Sequence, residues 1–155
     1  MKKQTEFGDS EIVEKIRALS EKTNQIALAT WAADCAERVL HYFIQELPAD
    51  RRPEKAITVT RDWVEGRVSA SQSRRAAFEA HSAARTATSA SAREAARSAG
   101  HAAATAHVSG HALHAAAYAV KAVFYASCFK DAEKNIMAER LWQYERLLAY
   151  SQSSV

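Results

Sequence analysis

The sequence predicts an all-α fold, a compact Ala-rich bundle of about six helices, on three observations. The chain holds 34 alanines in 155 residues, it has only two prolines, and no window alternates β-branched and polar residues between turns. Alanine is the best helix former and proline the worst, and both prolines, Pro48 and Pro53, fall in the segment ELPADRRPEK. Nearly everything outside that segment can therefore be helical. A chain of this length is expected to form a single domain over residues 1–155 and to bury a core without disulfide or metal.

A first helix over residues 9–22 places Ile12, Ile16 and Leu19 on one face. The second, residues 24–47, carries the stripe Ala29, Ala32, Ala36, Leu40, Phe43 and Leu47. Trp31, Cys35 and Tyr42 widen that stripe, leaving a polar wedge of Thr30, Asp34, Glu37, Arg38 and His41 that is expected to face solvent or a partner. Pro53 suits the first turn of a third helix, residues 53–65, because its missing N–H is not needed there. That helix turns Ile57, Thr60, Trp63 and Val64 inward and stops at Gly66.

Two segments with capping-box spacing, SASQ at Ser69–Gln72 and SARE at Ser91–Glu94, divide the Ala-rich middle. They predict a fourth helix over 70–87 and a long fifth over 92–127, whose continuity at Gly100 and Gly110 the sequence leaves open. A sixth over 131–150 presents Ile136, Leu141, Tyr144, Leu147 and Leu148, and residues 151–155 read as a frayed tail. With alanine at so many contact positions the helix axes can approach closely, which disfavours a large ligand cavity.

Composition also restricts location and partners. Two cysteines, Cys35 and Cys128, without a CxxC pair indicate a reducing compartment. No apolar segment follows the N-terminal lysines, so a signal peptide is not expected. The one long uncharged run, residues 98–120, is too rich in Ala, His and Gly to span a bilayer. A cytoplasmic protein with no membrane contact is the resulting expectation. Residues 1–66 sum to a net charge of −2, residues 67–97 to +4 and residues 98–155 to +1. The basic block has one aromatic, Phe78, and no nucleic-acid-binding signature, so an acid-seeking protein surface or a solvated helix face is favoured over nucleic acid.

Four of the six histidines lie in residues 98–120. In one continuous helix, His107, His111 and His114 would share a face about 60° wide, with His101 off it. That face can be a structural ladder, a partner surface, or part of a metal site with His41 and Asp34 from the second helix. For catalysis the chain offers no GxSxG elbow, Gly-rich phosphate loop or HExxH. Cys35, set among apolar neighbours, reads as buried and inert.

Four segments in order carry a resemblance: LATWAADCAERVLHYF (Leu28–Phe43), RRPEKAITVTRDWVEG (Arg51–Gly66), AAFEAHSAAR (Ala76–Arg85) and AAATAHVSGHALHAAAYAVKA (Ala102–Ala122). Over about Asn24–Val123 the chain resembles the small all-helical immunity proteins of bacterial polymorphic-toxin systems. The resemblance implies a cytoplasmic protein without enzymatic activity or cofactor that binds and neutralises a cognate protein toxin; a homodimer is compatible with it. The partner face expected from charge is Arg74, Arg75, His81 and Arg85, joined by His107 and His111, against an acidic or neutral surface. Two rival readings stand beside it. One is a bundle similar to DinB-like proteins, with a divalent metal such as Zn held by His41, His107, His111 and Asp34. The other is a basic helical protein associated with nucleic acid.

Overall fold

The computed structural model describes residues 11–153. Seven helices follow one another: α1 (Glu11–Glu21), α2 (Gln25–Glu46), α3 (Arg52–Val64), α4 (Ala70–Thr86), α5 (Ala90–Ala104), α6 (His111–Ala126) and α7 (Ala132–Ser153). No strand occurs among the described residues. The start expected at Asp9 or Ser10 and the last two tail residues lie outside them, but residues 151–153, expected to fray, continue α7.

The additional helix comes from a break in the predicted fifth. The chain runs helically through Gly100, leaves the helix after Ala104 and re-enters at His111. Thr105, Val108, Ser109 and Gly110 all have lower helix propensity than alanine, and the turn satisfies its own backbone: the His107 and Val108 N–H groups donate to Ala104 O, and the His111 N–H to Val108 O. Gln25, at the start of α2, donates from Nε2 to the carbonyls of Thr105 (2.9 Å) and Ala106 (3.3 Å). The carbonyls leaving the end of α5 thereby gain acceptor roles outside the helix. α5 and α6 pack side by side as an antiparallel hairpin, with the Ser98 hydroxyl donating to Ala115 O at 2.7 Å.

α5 is the hub, packed on α2, α3, α4 and α6. Its buried residues are Ala92, Ala95, Ala96, Ser98, Ala99, Gly100, Ala102 and Ala103, every one small. Each buried methyl contributes about 0.8 kcal/mol, and the small side chains let neighbouring backbones close in. Ser73 of α4 donates across one such contact to Ala103 O at 2.7 Å. The larger core side chains, Trp31 and Phe43 of α2 and Leu147 of α7, fill the space beyond the alanine seams.

Caps set the boundaries. Ser69 and Gln72 form the expected capping box at α4. At α5 the cap is Ser89, whose hydroxyl accepts from Ala92 N–H, and Ser91 lies inside the helix. The start moves because Glu46, at the end of α2, already holds this turn: its carboxylate accepts from the Thr88 and Ser89 N–H groups and the Thr88 hydroxyl. Those backbone N–H groups hold the Glu46 carboxyl below its ordinary pKa.

α7 departs most from its apolar pattern. Leu147 is buried as expected, but Leu141 is exposed and Gln143 is fully buried beside Glu139 and Arg140. The inner face is polar because neighbouring groups satisfy it. Gln143 donates from Nε2 to Ala116 O at 2.9 Å, accepts Trp31 Nε1–H on its own carbonyl at 2.9 Å, and accepts from Arg140 on Oε1. Arg38, lying over the Trp142 ring at 4.1 Å, donates to Glu139 at 2.6 Å.

Candidate functional site

The polar wedge of α2 does not face solvent as a whole. Asp34 is buried and both its carboxylate oxygens are engaged: Oδ1 accepts from Arg61 at 2.9 Å, and Oδ2 accepts from Arg146 at 3.1 Å and from the Tyr150 hydroxyl. The reason is that α3 and α7 close over this side of α2 and bring their own cations. Asp34 therefore ties three helices together. His41, at the far end of the wedge, lies tilted against the Tyr42 ring and lines a groove with Val123, Ser127 and Cys128, at the C-terminal end of α6. His111 lies at the other end of α6, about 18 Å away at 1.5 Å per residue. His107 is exposed in the α5–α6 turn. Asp34, His41, His107 and His111 are thus not brought together. No group of three or more His, Cys, Asp or Glu among the described residues is disposed to hold a metal ion.

The histidines converge differently. Once the chain folds back at Thr105–Gly110, His101 of α5 faces His111 and His114 of α6, and His81 of α4 meets it from the third side. The His101 and His111 Nδ1 atoms are 3.0 Å apart. The His101 ring centroid lies 4.9 Å from that of His81, 5.2 Å from those of His111 and His114, and 5.0 Å from that of Tyr118, on which it stacks. His81 seats on Gly100, where an added Cβ would come within 2.7 Å of its ring. Its Nδ1 is buried without a hydrogen-bond partner. Burial and the neighbouring imidazoles hold the imidazolium form of His101 far below its ordinary range, with a pKa of about 3. His81 and His111 are lowered for the same first reason.

α4 carries the exposed part. Arg74, Phe78, His81 and Arg85 recur at i, i+4, i+7 and i+11 and so share one face of the helix. His81 turns toward α5, while Arg74, Arg75 and Arg85 stand exposed and Phe78 is 58% exposed. The Arg74 guanidinium lies 5.4 Å from the centre of the Phe78 ring. Several other arginines are paired: Arg38 with Glu139, Arg52 with Asp50, Arg61 with Asp34 and Glu37, Arg146 with Asp34. Arg74, Arg75 and Arg85 have no carboxylate within 4.0 Å among the described residues, and Arg85 donates only to the Ser82 hydroxyl. Arg74, Arg75, Phe78 and Arg85 are thus exposed on α4, with Arg74 beside the Phe78 ring. His81 lies behind them, and His107 and His111 lie beyond, toward the α5–α6 turn.

The two cysteines differ in their surroundings. Cys35 is buried, and burial followed by the negative charges of Glu139 and Asp34 pushes its thiol well up. Cys128 is exposed, but its thiol donates to Asp131 at 3.1 Å. No helix among the described residues is long and apolar enough to cross a membrane.

The chain is an all-helical, alanine-seamed bundle, the fold expected of the small helical immunity proteins it resembles. The family model for the Imm-5 like putative immunity protein matches residues 18–150, and the chain belongs to that family. The match reaches beyond the span Asn24–Val123 over which resemblance was legible, and takes in the end of α1 and nearly all of α7. Neither the curated proteins nor the solved structures yield a match.

Proposed function

We propose that this chain is a cytoplasmic, non-enzymatic immunity protein that neutralises a cognate toxin by binding it through the outer face of α4. The single observation that supports the reading is the set Arg74, Arg75 and Arg85 exposed without carboxylate partners on α4 together with the exposed Phe78, which lies beside Arg74, in a family of immunity proteins. Arginine and aromatic side chains together are the common anchors of protein interfaces. Three unneutralised guanidiniums call for an acidic or neutral partner surface rather than a basic one. His81, His107 and His111 form the inner edge of this face. No cofactor enters the reading, and inhibition is stoichiometric.

The test is co-expression of this chain with the toxic domain encoded beside its gene. Growth is restored when the two are co-expressed, and the purified pair elutes as a complex. Restored growth without a complex would replace the binding mechanism with an indirect one. Growth arrest despite full expression of this chain would refute the reading.

A further inference from the structure

We propose that the four-histidine corner joining α4, α5 and α6 is a proton-operated latch, closed near neutral pH and opened by acid. The inference is independent of the toxin-binding reading. It rests on the His101–His111 contact: two imidazole Nδ1 atoms 3.0 Å apart form a hydrogen bond only when one carries hydrogen and the other does not. Neutral histidines meet that condition with complementary tautomers. Protonating the acceptor turns two N–H groups toward each other, so the bond is replaced by a repulsion.

Among the described residues no carboxylate pairs with these rings, and the Tyr118 face on which His101 stacks is shared with the Lys121 cation. His81 approaches from α4, with Arg85 on the same helix; Arg97 approaches from α5; His107 lies at the turn, and His114 on α6. Lys121 sits over the Tyr118 ring at 4.5 Å. From α2 the group reaching this end is the neutral Gln25, occupied with Thr105 and Ala106. Glu94, the carboxylate on α5, interacts instead with Lys121, Arg97 and Arg93. A second imidazolium would therefore sit among cations, partly buried, with α4 held to α5 here by His81 against Gly100. The closed corner binds fewer protons than the open one, so it is stable above the ordinary histidine range. That stability is lost as pH falls from about 6.5 toward about 3.

The test is amide hydrogen exchange of the full chain at pH 7.5 and pH 5, corrected for intrinsic rates, beside His101→Asn and His111→Asn. An Asn side chain keeps a polar group in the contact and cannot titrate. At pH 5 the opening equilibrium of residues 80–86 and 98–104 should rise about tenfold, after discounting His101 for its partial exposure, while the α3 amides change little. His101→Asn, if it folds, should lose most of that difference, and His111→Asn, which removes the partner but leaves His101 buried, should lose part of it. A pH effect spread evenly over all helices, or one undiminished in the Asn variants, would overturn the latch. If neither variant folds, the wild-type exchange pattern alone decides between the two outcomes.

Discussion

Gly100→Ala probes the seat of His81 with the sign of its effect. In a helix interior alanine is favoured over glycine by about 1 kcal/mol, so the substitution ought to stabilise α5 if nothing opposed it. At Gly100 the new methyl would lie 2.7 Å from His81 Cε1 and Nε2 and 3.0 Å from Cδ2. The ring must then leave its place against His101. Overpacking of this kind costs about 1–3 kcal/mol, giving a net loss of roughly 0–2 kcal/mol in the wild-type background. In His81→Ala the obstacle is gone, and Gly100→Ala should add about 1 kcal/mol. Urea unfolding of the four proteins in this double-mutant cycle should yield a coupling of about 1–3 kcal/mol. Equal stabilisation by Gly100→Ala in both backgrounds would refute the reasoning.

Other consequences follow from the polar links. Asp34→Ala leaves Arg61, Arg146 and Tyr150 without their shared acceptor. Arg61 keeps Glu37 at 2.6 Å and both guanidiniums are partly exposed, so the loss should be about 2–3 kcal/mol rather than the full cost of a stranded buried charge. A thermal scan should show the midpoint falling by roughly 5–10 °C; a change of a degree or less would mean the three contacts are not maintained in solution. Titration with a thiol reagent at neutral pH should label Cys128 in the native protein and Cys35 only in denaturant. Rapid modification of both would show that α2 opens readily. Gln143→Leu, close in volume, removes the hydrogen bonds that Gln143 makes to Ala116 O and with the Arg140 guanidinium and should lower stability by about 1–3 kcal/mol in denaturant unfolding, despite its greater hydrophobicity.

Much of the fold was legible because it depends on local rules. The Ser69–Gln72 capping box, Pro53 in the first turn of α3 and the buried stripe of α2 are each set by residues close in sequence. What escaped depends on pairing between distant segments. Arg74, Arg75 and Arg85 lie exposed on α4, while His107, placed by helical phase on one face with His111 and His114, sits in the α5–α6 turn instead. His101 joined the histidines only because the chain turns back before Gly110, and one continuous helix would have kept it apart. Asp34 reads as solvent-facing until α3 and α7 supply Arg61, Arg146 and Tyr150. The burial of Gln143 is absent from the apolar pattern of α7 because its partners, Trp31 and Ala116, lie 112 and 27 residues away. A cross-helix register, had it been apparent, would have exposed the first of these: Ser98 opposite Ala115 brings His101 next to His111.

The most direct measurement for the toxin-binding account is titration of the cognate toxin domain with wild type and with the Arg74→Glu, Arg75→Glu double variant, over a range of salt concentrations. Both side chains are exposed and unpaired, so the variant should keep the wild-type unfolding curve. The expected result is at least tenfold weaker binding with a shallower salt dependence, the mark of lost charge complementarity. Unchanged affinity and an unchanged salt slope would contradict the assignment of the α4 face.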